Sequence, residues 1–80
     1  MKQIDKMKGI VLDDHHRFLN QLHNANEITY KDFEDDVKSS TLLMDEVNTL
    51  DGILSFMHFE MGYDSKDVER GLINILASNL

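Results

Sequence analysis

Four histidines and a run of carboxylates have the widest chemical range of any side chains in this sequence. Asp13-Asp14-His15-His16 stand consecutively, His23 follows seven residues after His16, and His58 lies far along the chain. Metal coordination is the first chemistry such a set suggests. His16 and His23 share a helix face but lie about 10.5 Å apart along its axis, too far for one zinc ion bonded to each at about 2.0–2.1 Å. Asp13 and His16 have the i,i+3 spacing of half a carboxylate–histidine di-metal site, which also needs inward glutamates from neighbouring helices. Glu46 and Glu60 are the candidates for that role. An ordinary arrangement accounts for the same residues: Asp13 pairs with Arg17 at i,i+4 and His16 meets solvent. We expect no metal site and no cofactor.

His15 differs from the others because it falls on an apolar stripe, where a neutral imidazole packs in a core or interface. Imidazole titrates near neutrality, so such a position also suits pH-dependent assembly. His58 occupies a similar place in a second apolar tract. With Tyr30 and Tyr63, the two histidines can line a pocket between subunits. That gives one reading of function, an oligomeric helical binder that sequesters a small ligand.

The tract Gly62-Tyr63-Asp64-Ser65 resembles the phosphopantetheine attachment site of acyl carrier proteins, a family of small, acidic, helical chains. Lys66 stands where that family has an aliphatic residue, and one helix follows the serine where the family has more. Asp64 or Ser65 is therefore read as a helix N-cap. The chain has no cysteine, no nucleophile triad and no glycine loop that would cradle phosphate; Gly9, Gly52, Gly62 and Gly71 are single residues. We expect no enzyme.

Helices must position these groups. Ile4, Met7, Val11, Phe18, Leu22 and Ala25 recur at helical spacing with His15 in the gap, which predicts a helix over 3–24. Asn24-Ala25-Asn26 ends it, because asparagine tolerates the left-handed conformation. Thr29 offers an N-cap, and Phe33, Val37, Met44, Val47, Leu54 and Met61 continue the spacing with Glu34 and Lys38 as an i,i+4 pair. A single helix over 30–61, about 48 Å long, is expected, with Gly52 as its weak point. Gly62 caps it, and a last helix over 65–78 presents Val68, Leu72, Ile75 and Leu76. The expected fold is all-α: one domain over 1–80, a long antiparallel helical hairpin with a third C-terminal helix, assembled into a helical-bundle oligomer.

Oligomerisation is expected for two reasons. A chain of 80 residues buries only about 60–65% of its unfolded surface and gains from a partner. Residues 53–61 are also apolar around the whole helix, more than two other helices can cover. Ile53, Leu54, Phe56, Met57, Phe59 and Met61 are the candidate oligomer interface, with the methionines as adaptable contacts.

The formal net charge is -7, which opposes direct nucleic-acid binding and anionic membranes. Neither a secretory apolar run nor a spanning segment is present, so a cytoplasmic protein is the default. The charge is local. Residues 1–25 balance at +1, residues 26–61 at -7 and residues 62–80 at -1. Asp32, Asp35 and Asp36 share one helix face, with Phe33 and Val37 turned away, and Asp45 and Glu46 extend the negative surface. Such a rod of carboxylates suits a basic groove on another protein, including one that normally holds phosphates, a device of phage and mobile-element inhibitors. The sequence reading is therefore a non-enzymatic acidic protein that regulates or inhibits another protein.

Overall fold

A computed structural model describes residues 2–79. Among them are four α-helices: α1 (Lys2–Asn24), α2 (Tyr30–Asp45), α3 (Leu50–Met61) and α4 (Val68–Ser78). The chain is all-α. α1 packs against all three other helices, α2 also meets α3, and α3 meets α4.

α1 ends as its asparagines predict. Asn26 takes the left-handed conformation at φ 60°. Glu27 N–H then bonds the Leu22 carbonyl at 2.9 Å and Asn26 N–H the His23 carbonyl at 3.0 Å. These are the paired bonds of a Schellman motif, and they satisfy carbonyls that the helix end would leave free. Thr29 caps α2, its hydroxyl accepting from Asp32 N–H at 3.1 Å.

The expected single helix over 30–61 is two helices. A continuous helix would be about 48 Å long, whereas the longest dimension of the folded chain is 35 Å. The break falls before Gly52, not at it. Glu46 and Val47 N–H groups bond back to the Leu43 and Met44 carbonyls, closing α2. Thr49 then adopts an extended conformation, and its hydroxyl accepts from Gly52 N–H at 3.0 Å. Thr49 is therefore an N-cap, and the gain of that cap and the folding back of α3 outweigh a continuous backbone ladder. Gly52 allows the connection to lie close, because a Cβ there would meet Val47 Cγ1 at 2.9 Å.

The last helix begins three residues later than expected. Asp64–Asp67 form a turn in which Asp67 N–H bonds the Asp64 carbonyl, and Asp67, not Asp64 or Ser65, stands at the N-cap. Its side chain makes no capping bond.

The core consists of Val11 from α1, Met44 from α2, Ile53, Phe56 and Met57 from α3, and Val68, Leu72 and Ile75 from α4. Two corrections follow for side chains read from sequence. On α1 the buried line runs Val11–His15–Leu19, while Phe18 is 52% exposed. On α3, the expected oligomer interface is largely the chain's own core. Ile53, Phe56 and Met57 are each at most 5% exposed, and Leu54 and Met61 are half-buried. Breaking 30–61 into two helices creates the extra layer that covers them. Phe59 alone of the six stands in solvent, at 77% exposure.

Candidate functional site

The acidic residues of α2 line up outward. Asp32, Glu34, Asp35, Asp36, Asp45 and Glu46 are all exposed. Lys31 Nζ donates to Asp35 Oδ2 at 3.0 Å, and this hydrogen bond and the charge of Asp35 hold the lysine above its ordinary pKa. The pair is fully in water and adds little stability. Glu34 and Lys38 form no ion pair among the described residues; the two pairs present are Lys31–Asp35 and Asp14–Arg17. Arg17 thus turns to Asp14, not to Asp13, at the i,i+3 distance.

An apolar groove of about 200 Å³ lies beside this face. Leu43 and Val47 form one wall, Gly52, Ser55, Phe56 and Phe59 the other, and Glu60 closes it. The charges of Asp36 on α2 and Glu60 on α3 both pull the His15 pKa upward. The sequence reading missed Leu43 and Val47 as a wall. Their i,i+4 spacing was visible, but it reads as core until the break at 46–49 is known.

The histidines separate into different roles. His16 is half-buried and held by a partner. Its Nε2 donates to Ser40 Oγ at 3.0 Å, because the Ser40 hydroxyl is committed as donor to the Val37 carbonyl. Ser40 is 2% exposed. With its proton directed to a carbonyl and its oxygen out of reach, this Ser–His pair ties α1 to α2 and offers no nucleophile. His23 packs on Tyr30 and Phe33, with ring centroids 5.7 and 5.5 Å away, sealing the turn between α1 and α2. His58 Nδ1 donates to the Tyr63 carbonyl at 2.6 Å.

Of the four residues expected to share a pocket, the structure brings together two. His15 and Tyr63 line a cavity of about 260 Å³ with Asp14, Phe18, Met61 and Gly62. Tyr30 packs on His23 in the last turn of α1, and His58 bonds the backbone carbonyl of Tyr63 without lining the cavity. The cavity is lined by residues of α1 and of the segment 61–63. His15 is 7% exposed and meets Phe56 edge-on at 6.0 Å. Burial, then the adjacent His16, pushes its pKa down, against the opposing pull of Asp36, Glu60 and Asp14. Burial, then Asp14, pushes the Tyr63 phenol up. Asp14 and Phe18 were missed as lining residues, although their i,i+4 spacing puts both beside His15.

No group of three or more histidines and carboxylates among the described residues is arranged to hold a metal ion. No helix of the described residues is long and apolar enough to cross a membrane. The chain is thus a small all-α protein that carries an acidic face on α2, an apolar groove beside Phe59 and a cavity beside His15. No family model, curated protein or solved structure matches it.

Proposed function

We propose that this protein is a non-enzymatic regulator or inhibitor that binds a basic, amphipathic segment of another protein along α2 and α3. The observation that carries this reading is the junction of the acidic α2 face with the groove of Leu43, Val47 and Phe59. Nine acidic and two basic residues fall within 26–61, and Phe59, on the wall of the groove, is 77% exposed. An exposed aromatic beside an apolar wall is the composition of an interface anchor, and the carboxylates supply a polar rim of one sign. Charge complementarity selects the occupant: lysines and arginines flanking an apolar stripe, as on a basic helix or a phosphate-binding surface. Mimicry of a nucleic-acid backbone, as used by inhibitors of phages and mobile elements, is one way to use such a face.

The helical hairpin expected of α1 and α2 supports the presentation of this face. His23 lies against Tyr30 and Phe33, and His16 reaches Ser40, so the residue pairs advance in opposite directions along the two helices. Ile53, Phe56 and Met57 belong to the chain's own core, which leaves Phe59 as the exposed apolar side chain of 53–61.

Affinity capture with the wild-type chain and with Asp32→Lys, Asp35→Lys and Asp36→Lys combined tests the proposal. The wild type retains a basic partner and the variant loses it, with an unchanged circular dichroism spectrum. A partner held equally by both contradicts the reading.

A further inference from the structure

The cavity beside His15 has features that random surface concavities lack. Its aromatic wall is fixed in place from two directions. A Cβ at residue 71 would fall inside van der Waals contact of the Tyr63 ring, so Gly71 leaves the space in which that ring is seated. His58 meanwhile anchors the Tyr63 carbonyl at 2.6 Å, and Gly62 turns the chain there at φ 82°. Phe18 and Met61 add apolar lining.

The polar groups of the cavity have one sign. Asp14 is its only formally charged residue. Arg17 approaches that carboxylate no closer than 3.8 Å, beyond hydrogen-bond length. The Asp14 carboxylate is thus ion-paired with Arg17 but accepts no hydrogen bond from it, which leaves its acceptor sites available to a donor. Burial favours the neutral imidazole of His15, which keeps a lone pair as acceptor. The same desolvation keeps the Tyr63 phenol protonated.

We propose that this cavity is a binding site for a small organic ammonium ion carrying an aromatic ring. The ammonium meets Asp14, with His15 as a second acceptor, and the ring stacks between Phe18 and Tyr63 above Met61. An ammonium near aromatic faces also gains cation–π attraction, and the thioether of Met61 adapts to a ring edge. The volume equals that of about nine waters at roughly 30 Å³ each, which suits one ring with a short amine tail. Other ligand classes fit less well. An anion would meet Asp14 with no lining cation, and a metal ion would find one carboxylate and one imidazole where three or four ligands are needed.

Phenethylammonium is the probe, titrated into the full chain and followed by amide NMR shifts. Saturable shifts centred on Asp14, His15, Phe18 and residues 61–63 are expected, with phenethyl alcohol weaker and phenylacetate not binding. Asp14→Asn should weaken binding by about tenfold, the loss of one charge-assisted hydrogen bond. Phe18→Leu, at a half-exposed position, should weaken it as well. Absence of saturable shifts, shifts confined to other residues, or equal binding of phenylacetate would overturn the proposal. So would an Asp14→Asn chain that binds like the wild type. The ligand comparison uses the unaltered chain, so it stands even if a variant fails to fold. It is also independent of any protein partner at α2.

Discussion

The ring of Tyr63 is seated on the backbone of Gly71, occupying the space where a side chain at residue 71 would begin. This contact joins the turn after α3 to α4 and holds one wall of the His15 cavity. Gly71→Ala should therefore destabilise the protein. Overpacking costs about 1–3 kcal/mol, offset in part by about 1 kcal/mol of helix propensity. Thermal melts should show a midpoint lower by several degrees, since about 1 kcal/mol moves a domain of this size by roughly 4–8 °C. In a Tyr63→Ala background the same change should be neutral or stabilising. An equal cost in both backgrounds would separate the two residues energetically.

Thr49 gives a test of the helix break whose sign depends on the fold. As an N-cap accepting from Gly52 N–H, its replacement by alanine should cost about 1 kcal/mol. In a continuous helix over 30–61, Thr49→Ala would instead stabilise, because alanine is the better helix former. Urea denaturation of the single variant decides between the two.

Ser40→Ala removes the acceptor of His16 and should cost about 0.5–1.5 kcal/mol. The urea midpoint should fall with an unchanged slope. A null effect would mean that water replaces the hydroxyl without loss.

His15 makes stability depend on pH with a definite sign. Its folded pKa lies below its ordinary value of 6.5, so the unfolded chain binds the proton more readily. Stability is fully present above about pH 6.5 and is lost as pH falls through the lower, folded value. The charged groups around it are Asp14 and His16 on α1, Asp36 on α2 and Glu60 on α3; Tyr63 shares its cavity. His15→Leu should flatten the slope of stability between pH 7 and pH 5. Parallel curves for wild type and variant would contradict this.

Much of the helical organisation was legible in the sequence because caps and periodicity are local. Asn26, Thr29 and Gly62 all mark helix ends in the structure. The break at 46–49 was not read, because Val47 and Leu50 keep apolar character through it and Thr49 looks like an ordinary helix residue until its hydroxyl is seen to cap. That single omission propagated. With 30–61 as one rod, residues 53–61 lacked cover and read as an oligomer interface; folded back, Ile53, Phe56 and Met57 fill the core. The acidic face was legible because charge on an exposed surface needs no tertiary knowledge. Two of the six cavity residues were legible as such, His15 and Tyr63. Asp14 was hidden because it flanks the stripe, and Phe18 because its spacing reads as part of the buried stripe although it is 52% exposed.

Binding of a basic partner by the acidic face of α2 is the proposal on which the functional reading rests. Its most direct measurement is paired affinity capture from the native cell, wild type against the Asp32→Lys, Asp35→Lys, Asp36→Lys variant, at two salt concentrations. The account predicts a basic protein held by the wild type, released as salt screens the charges, and absent from the folded variant. A partner retained by the variant, or no partner for either chain, would contradict it.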